Sequence, residues 1–190
     1  VAGKGTKTEV LGLWPVAYGG QGGLGDVVLH PDFERNTWVY LSYAEKADDG
    51  PHIGAVVARA KLDLKNHPRT LRSIEKLWVQ EPKVTGKGHY SHRIAFGPDG
   101  KMFITSGDRQ KLTPAQDFSG NLGKVLRIND DGTVPNDNPW QNRGEISKLL
   151  CSVGHLILLC IDFDADGRLW VHEMGPRLGD VFNLIIAGKN

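Results

Sequence analysis

The chain of 190 residues lacks an excess of charge of either sign. Lysine and arginine together number 23 and the acidic residues 22, so the net charge is +1. A nucleic-acid footprint and a polybasic membrane face both require surplus positive charge. We therefore expect no nucleic acid among the partners.

Long apolar runs are also missing. No stretch approaches the roughly 20 apolar residues of a membrane-spanning helix, so no membrane span is expected. The first ten residues, VAGKGTKTEV, lack the apolar centre of a signal peptide. We expect no signal peptide in this chain, which leaves open that it is a mature or trimmed form.

Cysteine is scarce, with Cys151 and Cys160 nine positions apart. The two could pair across a hairpin or lie separately as small apolar residues, and two cysteines do not fix the redox compartment. The seven histidines form no Cys/His pair with zinc-ligand spacing, which argues against a zinc site.

Glycine is abundant instead, with 24 residues, and a repeat runs through the chain. Asp32 lies in VVLHPDF, Asp99 in IAFGPDG and Asp166 in IDFDADG, at equal intervals of 67 residues. Each copy has an apolar segment before the turn and an aromatic-rich one after it. A repeat that holds several short strands fits one four-stranded blade of a β-propeller.

The period predicts an all-β fold in which residues 1–190 form one partial β-propeller domain. Propellers close with about four to eight blades, and this length holds only about three. A small β-sandwich is the alternative, but it leaves the period unexplained. Further strands are expected at residues 9–14, 26–29, 36–43, 54–62, 74–79, 123–128 and 149–161, with a basic loop at 65–72.

The second copy predicts a hairpin that places two residues capable of acid–base chemistry side by side. Residues 93–96 and 101–105 form its strands, and Gly-Pro-Asp-Gly at 97–100 forms its turn. If Phe96 faces Lys101 and no bulge intervenes, His89 faces Asp108 with Cβ atoms roughly 5 Å apart. An imidazole beside a carboxylate is suited to act as an oriented general base.

The glycine loop GGQGGLG at residues 19–25 precedes a predicted strand. A phosphate-binding loop requires a helix at that point, so nucleotide binding is not favoured. The loop is either a flexible turn or a place where the backbone approaches a flat ligand, with Gln21 as the polar contact.

Residues 162–173, DFDADGRLWVHE, match the calcium loop of an EF-hand. The context argues against it, because Gly175 and Pro176 would end any exiting helix at once. The segment is also the third copy of the turn repeat, where Asp and Gly serve as turn residues.

Four stretches carry a resemblance to a known family: GQGGLGDVVLHPDF at 20–33, GHYSHRIAFGPDGKMFITSGD at 88–108, AQDFSGNLGKVLRINDDGTVPNDNPW at 115–140, and GRLWVHEMGPRLGDVFNLI with GKN at 167–190. Together they are similar to the soluble pyrroloquinoline-quinone-dependent sugar dehydrogenases, the glucose/sorbosone dehydrogenase group with the aldose sugar dehydrogenases. The resemblance implies a six-bladed propeller of four-stranded blades, in agreement with the period.

The resemblance also implies catalytic roles. His89 corresponds to the base that takes the proton from the anomeric hydroxyl of the sugar as hydride passes to the quinone. Asp108 corresponds to the carboxylate that orients this histidine, and Asp180 to a nearby active-site acid. The implied partners are an aldose sugar and an external electron acceptor, and the implied location is periplasmic or secreted.

The implied cofactors are pyrroloquinoline quinone and calcium. Gln21 corresponds to a glutamine that contacts the quinone. Gly175 and Pro176 correspond to the turn whose backbone carbonyls hold the calcium ion. The family pattern has Arg and Asn after Gly-His in the segment before the third hairpin, whereas this chain has Leu156 and Ile157.

Three functions therefore stay open. The first is a quinoprotein oxidoreductase that oxidises the anomeric carbon of aldose sugars, either active or as an inactive or partial copy. The second is a non-catalytic propeller that serves as a binding scaffold, which Leu156 and Ile157 favour. The third is a calcium-binding module.

Overall fold

The computed structural model describes residues 8–175 and 179–190, and within them the fold is almost entirely β. A four-residue helix, α1 (Phe33–Asn36), and two short 3-10 helices (Thr113–Gln116 and Ser147–Leu149) are the exceptions in this part of the chain. The strands are β1 (Val10–Leu11), β2 (Leu24–Leu29), β3 (Trp38–Lys46), β4 (Ile53–Asp63), β5 (Arg69–Val79), β6 (Ser91–Phe96), β7 (Met102–Ser106), β8 (Lys124–Ile128), β9 (Leu150–Val153), β10 (Ile157–Phe163), β11 (Leu169–Met174) and β12 (Val181–Leu184).

These strands form three sheets in the described residues, with orders β1-β5-β4-β3-β2, β6-β7-β8-β9 and β10-β11-β12. Within each sheet the neighbouring strands pair antiparallel, except that β1 pairs in parallel with β5. The first long strand of each sheet contacts that of the next, β2 against β6 and β6 against β10. Three meanders that meet along their first strands are neighbouring blades of a propeller, as predicted.

The blades differ in size from the expected four strands. The first gains the two-residue β1 as a fifth strand, which is all that remains of the strand predicted at residues 9–14. The third has three strands within the described residues. The assignment of residues 1–190 to a single domain stays a prediction.

Turn chemistry builds the hairpins of the second and third sheets. The backbone N–H of Gly100 donates to the carbonyl of Gly97, and Gly167 donates likewise to Asp164. Both Gly100 and Gly167 have positive φ, of 74° and 78°, which glycine adopts without a steric penalty. In the first copy, α1 replaces this turn.

The register of the second hairpin differs from the prediction. Phe96 pairs with Met102 rather than with Lys101, so the expected alignment beside the turn was wrong by one residue. A bulge in β6 then absorbs one residue and brings Ser91 opposite Ser106. The alignment beyond the bulge is therefore the predicted one.

The apolar core lies between the sheets. One cluster joins the first and second sheets and includes Tyr40, Ala44, Tyr90, Ile94 and Met102. A second cluster joins the second and third sheets and includes Ala95, Phe103, Leu158 and Val171. Full burial of each large apolar side chain stabilises the fold by about 1.5–3 kcal/mol, so these interfaces hold the blades together.

The structure differs from the sequence prediction at one strand and one loop, and it shows the state of the two cysteines. Residues 149–161 are not one strand, because Gly154 at φ 86° separates β9 in the second sheet from β10 in the third. The basic loop at 65–72 is shorter than expected, since β5 begins at Arg69. Cys151 is buried, Cys160 is exposed, and the two are not bonded to each other.

Residues 162–173 form the hairpin of β10 and β11 rather than a helix–loop–helix, in agreement with the argument against an EF-hand. Among the residues that the structure describes, no helix is long and apolar enough to cross a membrane.

Candidate functional site

His89 and Asp108 lie side by side at one end of the second sheet. His89 precedes β6 and Asp108 follows β7, so the hairpin brings them together. The Nδ1 atom of His89 is 2.7 Å from Oδ1 of Asp108. The Asp108 side chain is fully buried, whereas that of His89 is 25% exposed. This is the placement predicted from the sequence.

The hydrogen bonds of Asp108 fix the tautomer of His89. Oδ1 also accepts from the backbone N–H of Gln110 at 2.9 Å, and Oδ2 accepts from that of Leu112 at 3.0 Å. A carboxylate only accepts, so Nδ1 of His89 carries the proton. Nε2 of the neutral ring then has a free lone pair, and it has no partner among residues 8–175 and 179–190.

The backbone of His89 has an unusual conformation, with φ at 49°. Its N–H donates to Oε1 of Gln21 at 2.6 Å, and its carbonyl accepts from the N–H of Arg109 at 3.3 Å. Gln21 is exposed, and its Nε2 donors have no partner in the part of the chain that the structure describes. The glycine loop around Gln21 leads into the strand β2, as the argument against nucleotide binding requires.

A cavity of about 170 Å³ lies next to Gln21 and Tyr90, between residues of β6 and β10, and neither His89 nor Asp108 is part of its lining. Its lining includes Gln21, Tyr90, Ser91, Arg93, Ile157, Leu158, Leu159 and Met174. A larger cavity of about 770 Å³ lies on the first sheet, away from His89. There the carboxylate of Glu45 is paired with Lys76 and Lys83.

The third sheet contributes backbone groups at the same end. The carbonyl of Leu156 accepts from the N–H of Asp108 at 2.9 Å, and the N–H of Leu156 donates to Oε2 of Glu173 at 3.0 Å. Ile157 is 6% exposed and lines the cavity. The wall that the family pattern fills with Arg and Asn is therefore apolar here.

Gly175 and Asp180 are brought together near this end. Gly175 follows β11, and its N–H donates to Oδ1 of the exposed Asp180 at 3.0 Å. This hydrogen bond joins the end of β11 to the residue before β12. Pro176 lies outside the described residues, so the expected calcium turn stays a prediction.

Two features of the site were missed in the sequence. Arg109 is a buried cation that bonds to the loop of His89, and only its position next to Asp108 could have pointed to it. His155 and Glu173 form a second, buried imidazole–carboxylate pair, with Nδ1 and Oε1 at 2.7 Å. His155 follows Gly154 much as His89 follows Gly88, which was the available cue.

Fold and geometry together define a class: a β-propeller protein with a histidine–carboxylate pair at one end of its second blade. The family model of glucose/sorbosone dehydrogenases matches residues 1–190. The chain belongs to the glucose/sorbosone dehydrogenase family.

Individual relatives agree with this assignment. The chain is 34% identical over 192 residues to the aldose sugar dehydrogenase YliI of Escherichia coli, covering 100% of this chain and 50% of the relative. The apo structure of the soluble aldose sugar dehydrogenase from Escherichia coli superimposes with a TM-score of 0.92 at 34% identity, covering 100% of this chain and 54% of that one.

The aldose sugar dehydrogenase of Streptomyces coelicolor, solved in its PQQ-bound form, gives a TM-score of 0.81 at 28% identity. The match covers 92% of this chain and 49% of that one. The present chain thus spans about half the length of the proteins it resembles.

Proposed function

We propose that the protein containing this chain is a quinoprotein that oxidises the anomeric carbon of aldose sugars. The observation that carries the proposal is the pairing of a buried Asp108 with an open His89, whose Nε2 is free to take a proton. Family membership and the PQQ-bound neighbour support it. By the same resemblance we place the protein in the periplasm or outside the cell.

The roles of the residues follow from their geometry. Nε2 of His89 accepts the proton of the anomeric hydroxyl, and Asp108 orients the ring and stabilises the imidazolium that forms. Gln21 holds the backbone of His89 and offers its amide to a ligand. Pyrroloquinoline quinone, when bound, would supply the carbonyl that accepts hydride from the sugar, and a calcium ion expected at the turn of Gly175 and Pro176 would polarise that carbonyl.

The overall reaction balances. The sugar loses one hydride and one proton and becomes a lactone. His89 takes the proton, and the hydride, which is two electrons and a second proton, passes through the quinone to an external acceptor that is thereby reduced. Asp180 supports the turn at Gly175 through its hydrogen bond to the backbone and takes no proton in this scheme.

The residues present fit the quinone on the side where the proton is taken. His89 presents an open Nε2, Gln21 presents an amide, and the cavity beside them is lined by both polar and apolar groups. The guanidinium of Arg93 also lines this cavity, but its Nε and Nη1 already donate to the carbonyls of Leu159 and Gly25. It therefore has one nitrogen, Nη2, left for an anionic ligand.

The apolar wall at Leu156 and Ile157 favours a second candidate, a non-catalytic propeller scaffold. A guanidinium that pairs with carboxylates cannot be replaced by an aliphatic side chain without loss of that contact. If the affinity for the quinone depends on that contact, the fold and the histidine pair persist without turnover.

Reconstitution separates the two candidates. The full-length gene product is mixed with pyrroloquinoline quinone, calcium, glucose and an electron-acceptor dye. Turnover together with a shift of the quinone absorbance is the expected result, and in His89→Ala the turnover rate falls at least 100-fold while the absorbance shift remains. Absence of both turnover and the absorbance shift in the wild type would establish the scaffold instead.

A further inference from the structure

The guanidinium of Arg109 is buried against the loop that carries His89. Arg109 is 1% exposed, although it lies in a turn that follows β7. Its Nε donates to the carbonyl of Gly88 at 2.9 Å, and Nη2 donates to that of Gly86 at 2.6 Å. The ring of Tyr90 lies against the guanidinium, with 3.6 Å from Cζ to the ring centroid. The cation thus holds the residues before and after His89.

The same side chain ties this loop to the first sheet. Its Nη1 donates to the carbonyl of Ile53 and to Oε1 of Gln80, the latter at 3.2 Å. Gln80 is itself buried and donates to Oγ of Ser106 at the end of β7. The planar guanidinium therefore joins the loop of the second sheet to the first sheet. A lysine ammonium, with a single nitrogen, could not reach these partners together.

No carboxylate pairs with this cation among residues 8–175 and 179–190. Neutral carbonyls, one amide and an aromatic face solvate it instead. Burial lowers the pKa of Arg109, but a guanidinium stays charged throughout the physiological range. A buried cation without an ion pair is costly, so its retention needs a local reason.

The conformation of His89 supplies that reason. Its φ of 49° is in the left-handed region, which a non-glycine residue occupies only when its surroundings hold it there. We propose that Arg109 is the positioning residue of the candidate base: it holds the backbone around His89 so that Nδ1 meets Asp108 and Nε2 stays open. The catalytic part of this inference rests on the proposed function.

The test uses Arg109→Met, which keeps the length but removes all donors, and Arg109→Lys, which keeps a cation. In the reconstituted full-length protein we expect kcat to fall about 10–100-fold in Arg109→Met, since small misplacements of a catalytic group cost rate to this extent. KM for glucose and the affinity for the quinone stay within about 3-fold, because Arg109 borders the loop and not the cavity lining. Arg109→Lys recovers only part of kcat, because one ammonium cannot reach Gly86, Gly88 and Ile53 together.

Lys124→Met is the matched control. Lys124 is also a fully buried cation, and its Nζ donates to the carbonyls of Pro114, Ala115 and Leu122 at 2.7, 2.9 and 2.7 Å. We expect Lys124→Met to lower the melting temperature, because it leaves three buried carbonyls without a donor, and to leave kcat within about 2-fold of the wild type. An equal loss of kcat in both variants would overturn the inference, as would unchanged kcat in either folded Arg109 variant.

A readout independent of activity separates this inference from the proposed function. In ¹⁵N-detected spectra of the histidine rings, we expect an Nδ1–H signal of His89 in the wild type, because Asp108 protects that proton from exchange. We expect its signal to be lost or shifted in Arg109→Met and Arg109→Lys and to persist in Lys124→Met. If the wild type shows no turnover, the proposed function fails, and this signal still decides whether Arg109 positions the ring. A signal unchanged in both Arg109 variants refutes the positioning role.

Discussion

The Nδ1 atom of His155 lies 2.7 Å from Oε1 of Glu173, a residue within β11, whereas Nδ1 of His89 bonds to Asp108, which lies beyond the end of β7. In both hairpins the histidine precedes the first strand. The His155 pair is buried, however, with its side chains 7% and 8% exposed, and Nε2 donates to or accepts from Oγ of Ser152. The same arrangement is thus closed in one blade and open in the next.

The closed pair is expected to stabilise the fold. Glu173 accepts hydrogen bonds from His155, from the backbone of Leu156 and from Asn183. Glu173→Gln places amide protons against these donors and should lower the free energy of unfolding by about 1–3 kcal/mol, measured by urea titration. The control is the exposed Glu145, which is paired with Lys148. Glu145→Gln should change the free energy of unfolding by less than about 0.5 kcal/mol. Equal effects of the two changes would contradict a structural role for the pair.

The open pair is expected to affect turnover. In Asp108→Asn the amide can present an N–H to Nδ1 of His89, which favours the wrong ring tautomer, so kcat should fall by about 100-fold or more in the reconstituted protein. Asp130→Asn is the control, because Asp130 also contacts a histidine, with 3.4 Å to Nε2 of His30, but lies outside the site. Steady-state rates within 2-fold of each other for the two variants would exclude the role of Asp108.

The close approach of Gly25 to His92 makes a third prediction. A Cβ atom at Gly25 would overlap the imidazole of His92, which bonds to Oγ of Ser42 at 2.8 Å. Gly25→Ala should therefore lower the free energy of unfolding by about 1–3 kcal/mol through overpacking. In a His92→Ala background the same change should cost almost nothing, and a double-mutant cycle measures the difference. A cost that is the same in both backgrounds would show that the ring is not the obstacle.

His92 should also make stability depend on pH. Burial, reinforced by the charges of Arg93 and Arg109, lowers its pKa to about 4 in the folded protein, against an unfolded value of about 6.5. Between these values the unfolded chain binds a proton that the folded protein does not, so stability falls as pH falls from about 6.5 to 4. Unfolding titrations across this range should show a slope steeper by up to about 1.4 kcal/mol per pH unit than in His92→Gln. Parallel slopes would place the acid sensitivity elsewhere.

The calcium-loop pattern at residues 162–173 should have no part in calcium binding. Asp164 and Asp166 already contact Arg168, and Glu173 is directed inward to His155. Asp166→Ala should therefore leave the calcium affinity of the full-length protein within 2-fold by calorimetry. Loss of a high-affinity site in this variant would mean that the hairpin binds the ion after all.

The features that the sequence predicted correctly depend on interactions between residues close together in the chain. The Gly-Pro-Asp-Gly turn at 97–100 acts through φ preferences and short-range hydrogen bonds, so the second hairpin was predictable. His89 and Asp108 meet even though the assumed register was wrong, because the bulge at Ser91 compensates for the error beside the turn.

Features that depend on distant contacts were not predictable. The apolar run at 149–161 has no alternation that would show its division between two sheets, and Gly154 is the only cue. Arg109 bonds to carbonyls that lie 21 to 56 positions away in the chain, and no pattern around it marks these partners. The fifth strand β1 has only two residues, too few for a periodic signal.

The extra residue in β6 also limits how this hairpin can be recombined with others. Side chains alternate along a strand, so deletion of one residue at the bulge would turn the imidazole at position 89 toward the opposite face of the sheet. A chimaera made by exchanging blades should therefore keep the segment from Gly86 to Phe96 intact and place its junctions in the outer strands.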